Sequence, residues 1–307
     1  WCHCFTASAQ ESAECAAGVR RNGHNGINYT SIKLDLIRVF FSHHRASRFP
    51  QRSTPMSTDT QTYASQHYGP LANDYVQSTV HSSGIDLDLI EHHIAGRGLG
   101  TVLDLGCGGG HVSYRAAPLV RGVVACDITQ TMLDAVHVEA QKRGLRNITT
   151  CQAAAEKLPF PTASFDAVLC RFTAHHWLDL EAGLREARRV LKPDHPAIFV
   201  DVTAPANTLA DSWLQTIELL RDLSHVRDYS VHEWVSALER TGFSLSGIKH
   251  HILQMEFSSW TSRSKTPNRR KDIIHEIQKK SPEFIQNYFS IKDNGDFNLK
   301  VSSFILE

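Results

Sequence analysis

The sequence lacks an excess of charge of either sign, a long apolar run and a regular cysteine pattern. Its 307 residues include 32 basic and 32 acidic side chains, and this balance gives no electrostatic argument for nucleic-acid binding. No run of roughly 18 apolar residues occurs, so no segment is predicted to span a membrane. The seven cysteines show no paired metal-ligand spacing, and we therefore predict no metal site.

The composition does provide enough apolar material for one large domain. Hydrophobic residues make up 41% of the chain, which suffices for a single core of roughly 200–250 residues. Four cysteines fall at or near predicted strand ends, where we interpret them as small buried hydrophobic residues of a reducing compartment. They are Cys107, Cys126, Cys151 and Cys170. We therefore expect a cytoplasmic protein.

The first 55 residues differ in pattern from the rest of the chain. The sequence starts at Trp1, and no helical or strand period is sustained up to Thr54. Three interpretations of these residues remain open: a misassigned upstream extension, a transit-like peptide and an accessory segment. The polar stretch that directly follows Met56 favours the upstream extension. We expect residues 1–55 to be disordered or an upstream extension, and residues 56–307 to form the domain.

A glycine turn after an apolar strand is the most informative local feature. The segment Thr101–Leu105 is predicted to be a short buried strand. It runs directly into Gly106, Gly108 and Gly110, whose missing side chains allow a ligand to lie against the backbone. Asp104, two residues before the first glycine, suits a ligand with a cationic end.

Two other interpretations of this turn are open from its residues. A nicotinamide or flavin site needs Gly-x-Gly-x-x-Gly. The third glycine position falls on His111 when counted from Gly106, and on Ser113 when counted from Gly108, so the motif fails in both registers. A tight strand-to-helix turn without any ligand is the other alternative.

An acid at the end of a second apolar run favours the ligand site. The segment Gly122–Asp127 ends 21 positions after Gly106. In a βαβ unit the tip of the second strand lies beside the first glycine turn, so Asp127 can accept hydrogen bonds from both hydroxyls of a ribose. The alternative is that Asp127 helps to start the following helix, for which Thr129 is a plausible N-cap.

Five motifs follow one another along the chain: Asp104–Gly110, Asp127, Ala155–Phe160, Phe165–Val168 and Arg189–Pro193. They are similar to the ordered motifs of class I S-adenosylmethionine-dependent methyltransferases of type 11. The nearest branch resembles the ubiquinone/menaquinone C-methyltransferases, and the resemblance covers about residues 60 to 250. It implies S-adenosyl-L-methionine as the cofactor.

The resemblance also implies a cofactor site around the glycine turn. Asp104 would face the cationic methionine end, Asp127 the ribose, and the backbone carbonyl of Arg171 the methionine end. The implied cofactor-binding residues are Asp104, Gly106, Cys107, Gly108, Gly110, Asp127, Ile128, Met132, Ala154, Ala155, Glu156 and Arg171.

Strand and helix patterns alternate after Met56, which predicts an α/β fold. The expected architecture is a doubly wound, mostly parallel sheet of the Rossmann-like methyltransferase type. The resemblance implies seven strands, the last of them antiparallel. An entry helix is expected at Tyr63–Ser78, and the last two strands are expected at Gly242–Ile252 and Asp296–Ile305. Two helical inserts, at about residues 209–225 and 260–288, lie outside the minimal sheet. The first is placed to cover the substrate side, because ligands bind beyond the carboxyl ends of the strands.

The substrate side is predicted from the segment Phe172–Trp177, which resembles an uncharacterised "AHHW" subgroup. His175 and His176 stand where enzymes of this type face their acceptor, and a histidine can take a proton near neutral pH. The alternative is that one of them caps the next helix or binds the lid. The remaining substrate-side candidates are Tyr68, Tyr75, Trp177 and Trp213; ordinary core packing is the alternative for Trp213.

The chain departs from the family pattern at two places. The family usually carries an acid for the adenine amino group where this chain has Ala154. Adenine recognition is then expected to rest on backbone groups near Ala155 and on apolar contacts from Met132 and Leu133. The family also commonly has a glycine pair where this chain has Asp194 and His195, and we expect an altered turn there.

The predicted function is methyl transfer from S-adenosylmethionine to a small-molecule acceptor by in-line displacement. A cofactor-binding protein without turnover and an NAD-type oxidoreductase are the alternatives, and the failed third glycine argues against the latter. No nucleic-acid partner is expected. The motifs specify neither the acceptor atom nor the oligomeric state.

Overall fold

A seven-stranded sheet forms the centre of the protein in a computed structural model that describes residues 84–307. The strands are β1 (Thr101–Leu105), β2 (Gly122–Asp127), β3 (Ile148–Gln152), β4 (Ala167–Arg171), β5 (Ala197–Val202), β6 (Leu245–Met255) and β7 (Phe297–Leu306). Their order in the sheet is β3-β2-β1-β4-β5-β7-β6. Strands β1 to β5 pair in parallel, whereas β7 is antiparallel to both neighbours. The predicted α/β class and the antiparallel last strand are confirmed.

Helices cover both faces of this sheet. Those of residues 84–307 are α1 (Ile85–Ile94), α2 (His111–Ala116), α3 (Gln130–Lys142), α4 (Leu180–Val190), α5 (Thr208–Arg221), α6 (Val231–Arg240), α7 (Phe257–Arg263), α8 (Asn268–Lys280) and α9 (Glu283–Phe289). Short 3₁₀ turns occupy Ala117–Leu119 and Ala174–His176. Helices α4 and α6 pack on one face and the others on the opposite face, so the predicted doubly wound arrangement is confirmed.

Burial of both faces explains why the central strands are almost continuously apolar. In β1, Val102 contributes to the core on one face and Leu103 to the core on the other, and neither is exposed. Strand β5 is buried along its whole length. Parallel strands between two helical layers have this composition because no side chain faces water. An acid in such a strand, such as Asp201 in β5, is therefore out of place unless it is paired.

Helix boundaries follow local capping chemistry. Asp179 accepts a hydrogen bond from the Ala182 N–H at the start of α4, and Ser230 with Glu233 forms a capping box at the start of α6. Helix α1, which no sequence argument predicted, buries Leu87.

The second insert is not one continuous helical stretch. It divides into α7, α8 and α9, and prolines at the N-caps of the last two separate them. A proline favours a helix start because it lacks the N–H that would be unsatisfied there. The first insert corresponds to α5. No helix of the described part of the chain is both long and apolar enough to cross a membrane.

The end of the sheet differs most from the sequence prediction. Strand β6 was expected at Gly242–Ile252 but begins at Leu245, because Gly242 has a φ of 85° and ends the turn after α6. Strand β7 lies between β5 and β6. The predicted entry helix Tyr63–Ser78 and the domain boundary at residue 56 lie outside the described residues.

Candidate active site

A single cavity contains nearly all the predicted site residues that the structure describes. It opens where β1, β2, β4 and β5 end, at the carboxyl edge of the parallel strands. Every predicted cofactor residue except Gly110 lines it, together with His175, His176 and Trp177. Tyr68 and Tyr75 lie outside the described residues. This position agrees with the rule that ligands of open α/β sheets bind beyond the carboxyl ends of the strands.

Two glycines of the turn have different structural roles. Gly108 has a φ of 47°, and a Cβ placed on it would meet nothing within 4 Å, so its backbone borders open space in the cavity. Gly110 has a φ of 82°, and a Cβ there would meet the Tyr114 ring at 2.8 Å. Gly110 therefore allows α2 to pack closely and is not part of the cavity wall, although the sequence predicted it to bind the cofactor.

Asp127 connects the end of β2 to the glycine turn. One carboxylate oxygen accepts a hydrogen bond from the Gly108 N–H at 2.9 Å, and the other accepts from the Thr129 N–H at 2.8 Å. Burial raises the pKa of Asp127, and these backbone hydrogen bonds act in the opposite direction. The carboxylate thus fixes the turn and also helps to start α3, while it still lines the cavity.

Asp104 is a buried acid beneath the turn, with 1% of its surface exposed. One oxygen accepts hydrogen bonds from the Ser113 N–H at 2.9 Å and from the Ser113 hydroxyl at 2.6 Å. Burial raises the pKa of Asp104 to about 7, although the Ser113 hydrogen bonds oppose this. The charge of Asp127 raises this pKa further, and the charge of Arg171 lowers it. A cation in the cavity would favour the ionised form of Asp104.

The Arg171 side chain forms a buried ion pair with Asp86 of α1. Its guanidinium also lies over the Phe172 ring, 4.5 Å from the ring centre. Phe172 itself has a φ of 52°, a conformation that is uncommon for residues other than glycine and often marks a functional loop. The Asp86 contact was not predicted, because the two residues are 85 positions apart in the chain.

The two histidines occupy the 3₁₀ turn after β4 and have different partners. The His175 Nδ1 lies 2.6 Å from Asp201 Oδ1, and the His175 backbone N–H donates to Asp201 Oδ2 at 3.2 Å. The His176 Nδ1 lies 3.1 Å from the carbonyl oxygen of Ser224. Asp201 was not predicted as a site residue. The signal was present, because Asp104, Asp127 and Asp201 are all acids near the ends of buried strands.

These partners move the two imidazole pKa values in opposite directions. Burial by itself lowers the pKa of His175, but the charge and hydrogen bond of Asp201, with Asp228 and Glu218 farther away, raise it to about 9. Burial and the positive charge of His175 lower the pKa of His176 to about 4. Near neutral pH these shifts favour the charged form of His175 and the neutral form of His176.

A cation site is a second interpretation of this cluster. Potential ligand atoms of His175, Asp201 and Asp228 lie within 4.8 Å of one another. However, Asp201 already accepts hydrogen bonds from the His175 ring, the His175 N–H and the Val202 N–H. The 2.6 Å between Nδ1 and Oδ1 is a hydrogen-bond distance. We therefore interpret the cluster as a hydrogen-bonded pair.

The structure separates the two predicted substrate-side tryptophans. Trp177 lines the cavity and packs against Gly183 of α4. Trp213 lies in the core instead: its ring stacks on Phe289 with 4.4 Å between centres, and its indole N–H donates to Ser281 at 2.7 Å. The alternative of core packing applies to Trp213, because α9 covers the face of α5 that carries it.

Residues from the far strands complete the cavity wall and were not predicted. Val202, Leu253, Met255 and Leu299 form an apolar side. Glu218 and Arg221 of α5, which form an ion pair at 3.1 Å, add a polar side. Sheet pairing across β5, β7 and β6 brings the four apolar residues together, so their positions in the sequence do not indicate the site.

The two departures from the family pattern have simple structural counterparts. Ala154 lines the cavity without a polar side chain. Nearby, Glu156 Oε1 accepts a hydrogen bond from the Leu178 N–H at 2.8 Å, which ties this loop to the segment after the histidines. Asp194 has a φ of 57°, a left-handed conformation that glycine adopts readily.

Comparisons with known proteins agree with this architecture. A methyltransferase-domain family model matches residues 103–199. The uncharacterised protein YafE of Escherichia coli is 42% identical over 188 residues, which cover 61% of this chain and 91% of that protein. The ubiquinone/menaquinone biosynthesis C-methyltransferase UbiE of Shewanella frigidimarina is 36% identical over 112 residues, or 35% of this chain and 45% of that protein.

YcgJ of Bacillus subtilis, named an uncharacterised methyltransferase, is similar in both sequence and structure. It is 34% identical over 226 residues, which cover 73% of this chain and 89% of that protein. Its crystal structure matches with a TM-score of 0.69 at 31% identity, covering 72% of this chain and 97% of that one. The chain therefore belongs to the class I S-adenosylmethionine-dependent methyltransferases, in the branch described by the methyltransferase-domain model.

Proposed function

We propose that this methyltransferase acts on a small-molecule acceptor bound between the histidine pair and the apolar end of the cavity. The observation that carries the proposal is the composition of one continuous cavity. Its glycine turn and two buried acids lie on the side of β1 and β2, and His175 and His176 follow β4. S-adenosylmethionine supplies an electrophilic methyl group when bound, so the protein must mainly align the acceptor and exclude water.

We assign the cofactor residues as follows. Asp127 accepts hydrogen bonds from the ribose hydroxyls. Gly108 has no side chain and borders open space, so the cofactor can lie directly against its backbone. Asp104 attracts the cationic methionine end. The Arg171 guanidinium is held by Asp86, which supports a role for its backbone carbonyl. Met132 and backbone groups near Ala155 contact the adenine.

The acceptor side supports a compact, partly apolar molecule. Leu253, Met255 and Leu299 offer apolar surface, and Trp177 adds an aromatic face. Helix α5 provides Glu218 and Arg221, which form an ion pair with each other. Tyr68 and Tyr75 remain predicted contributors. We also propose a cytoplasmic location, which the four unpaired cysteines of the described region support.

Replacing Asp127 by Ala is expected to weaken cofactor affinity at least about tenfold. Hydrogen bonds to a charged group contribute roughly 1.5–3 kcal/mol each, and water compensates in part. Calorimetric titration with S-adenosylhomocysteine measures the change. Asp127→Asn is the matched control, since it keeps an oxygen for the Gly108 N–H. If the cofactor affinity of Asp127→Ala fell by less than about threefold, the role of this carboxylate would be limited to the start of α3.

Cofactor binding is expected to depend on pH through Asp104. Its raised pKa of about 7 means that the carboxyl is mostly protonated at about pH 6 and mostly ionised at about pH 8. Because only the ionised form attracts a cation, affinity for S-adenosylmethionine should fall up to about tenfold on going from the higher to the lower pH. Asp104→Asn should bind weakly with no such slope. A flat pH dependence in the unmodified protein would contradict the assignment.

The function is tested by radiolabel transfer. Protein is incubated with methyl-labelled S-adenosylmethionine and a panel of phenols, enols, amines and thiols, followed by small-molecule extracts. We expect one acceptor class to become labelled, and one S-adenosylhomocysteine molecule to form for each methyl group transferred. Gly108→Val serves as the control that lacks the cofactor. Tight binding of S-adenosylhomocysteine without transfer to any small molecule would contradict the proposal.

A further inference from the structure

We propose that Asp228 recognises the methyl acceptor by donating a hydrogen bond from its carboxyl group to an uncharged carbonyl oxygen. This inference rests on the proposed function and specifies its substrate class, a neutral carbonyl compound. It is carried by three observations: the Asp228 carboxyl is buried, it lines the cavity, and one of its oxygens has no hydrogen-bond partner.

The missing partner distinguishes Asp228 from the other acids of the cavity wall. Asp228 lies in the loop between α5 and α6 and exposes only 2% of its surface, yet its Oδ2 makes no hydrogen bond. The carboxyl groups of Asp104, Asp127, Glu156 and Glu218 each accept at least one. A buried polar atom without a partner destabilises the folded protein, so it requires an explanation. A ligand in the cavity would supply the partner.

Gln215 of α5 holds the loop that carries this carboxyl. The Gln215 Nε2 donates to the Asp228 carbonyl oxygen at 2.8 Å, and the Gln215 Oε1 accepts from the Asp228 N–H at 3.0 Å. One amide thus satisfies both backbone groups of Asp228, and its carboxyl stays available to another molecule. Such a preformed site favours binding, because little conformational freedom is lost when the ligand enters.

The His225 ring lies close to Asp228 but is not its partner. The His225 Nε2 is 3.9 Å from Asp228 Oδ2, which is too far for a hydrogen bond. The same nitrogen lies 3.0 Å from Gln215 Oε1, an oxygen that can only accept, so Nε2 carries a proton and cannot take one from Asp228. Burial lowers the pKa of His225 to about 2, so this ring is not a counter-ion either.

The charged groups around Asp228 pair with one another. His175, in the turn after β4, lies 2.6 Å from Asp201 of β5, and Arg221 pairs with Glu218 within α5 at 3.1 Å. Burial and the charges of Glu218 and Asp201 raise the pKa of Asp228 well above its ordinary value, although the charges of His175 and Arg221 oppose this. The carboxyl is therefore neutral near pH 7 and has one O–H group to donate.

A neutral carboxyl group at this position selects an uncharged hydrogen-bond acceptor. A carbonyl oxygen fits because it only accepts and adds no charge to the buried site. A cationic amine would instead lie near the positive charges of His175 and Arg221, and it would require Asp228 to lose its proton. Protonated aspartates donate hydrogen bonds of this kind in other apolar enzyme sites. The apolar side of the cavity would contact the hydrocarbon part of the same molecule.

Difference infrared spectroscopy of the S-adenosylhomocysteine complex tests this proposal without turnover. At pH 7 we expect a band from a protonated carboxyl that is lost in Asp228→Asn. The matched control is Asp211→Asn, at a carboxylate paired with Arg227, which should leave the band in place. Cyclohexanone, added up to its solubility limit, should shift the band to lower frequency, because the O–H group becomes hydrogen-bonded. An ionised Asp228, or a band that cyclohexanone leaves unchanged, would overturn the proposal.

Two cations test the opposite interpretation in the same experiment. Cyclohexylammonium and Mg²⁺ should each leave the Asp228 band unchanged, since a neutral carboxyl has no charge to offer them. Loss of the band with cyclohexylammonium would mean that the site takes an amine. Loss of the band with Mg²⁺ would support cation binding by His175, Asp201 and Asp228. Either loss would overturn the proposal.

A kinetic test uses an acceptor returned by the radiolabel screen, and we expect that acceptor to contain a carbonyl group. Asp228→Asn keeps a neutral donor, so KM should stay within about threefold. Asp228→Leu removes the donor and should raise KM about tenfold with a smaller change in kcat, and it should not lower the melting temperature. An acceptor without a carbonyl group, or equal losses in both variants, would contradict the proposal. The infrared result does not need turnover, so its failure is distinct from failure of the proposed function.

Discussion

Gly108→Val is expected to abolish cofactor binding while the protein remains folded. A Cβ at this position would meet no protein atom within 4 Å, so the fold has room for a side chain, whereas the cofactor is expected to lie in that space. The φ of 47° adds backbone strain for a β-branched residue. We expect a loss of at least about 100-fold in affinity, equivalent to about 3 kcal/mol.

The matched control for this substitution is Gly144→Val. Gly144 also has a positive φ, 71°, and no atom near its Cβ position, but it lies in the exposed turn after α3. The melting temperature should fall by a similar amount in both variants, and only Gly108→Val should lose binding of S-adenosylhomocysteine. Thermal melting and calorimetry with S-adenosylhomocysteine separate the two effects. Unchanged affinity in Gly108→Val would mean that the turn does not approach the cofactor.

Removing β7 is expected to prevent folding altogether. This strand pairs with β5 on one side and β6 on the other, so its loss would expose two strand edges and the apolar surface beneath them. A chain that ends before Phe297 should therefore be recovered only as aggregate. Residue Phe304 shows the importance of the strand on a smaller scale: it is fully buried and stacks on Trp234 with 5.0 Å between ring centres.

A point substitution tests the same strand in a protein that still folds. Phe304→Ala should lower the free energy of unfolding by about 3–5 kcal/mol, because it leaves a cavity between β7 and α6. Gln254→Ala, at an exposed position of the neighbouring β6, should change it by less than about 0.5 kcal/mol. Urea denaturation measures both. A soluble, cooperatively folding chain without β7 would contradict this view of the sheet.

The sequence predicted the elements that carry their own local signals. Strands β1 and β2 end at a glycine turn and an acid, and both lie at the predicted residues. The grouping of the glycine turn with Asp127 in one cavity could be predicted for the same reason, since both are defined by spacing within one βαβ unit.

Contacts between distant elements could not be predicted in this way. Helical spacing indicates that one face of α5 is buried, but it does not indicate which element covers that face. The structure shows that α9 covers Trp213, which therefore does not line the cavity. Likewise Asp201 meets His175 across two strands, and Asp86 meets Arg171 from α1. These pairs depend on strand order and helix rotation, which no single segment encodes.

The central position of β7 also has a consequence for synthesis of the chain. Strand β6 leaves the ribosome before β7, its partner in the sheet. Strand β5 is also synthesised long before β7, because its Phe199 pairs with Phe304, about 100 residues later in the chain. Contacts between residues so far apart in sequence form slowly. Until α7, α8, α9 and β7 have been translated, the nascent sheet has two unprotected edges. This interval is when the protein is most exposed to aggregation and most dependent on chaperones.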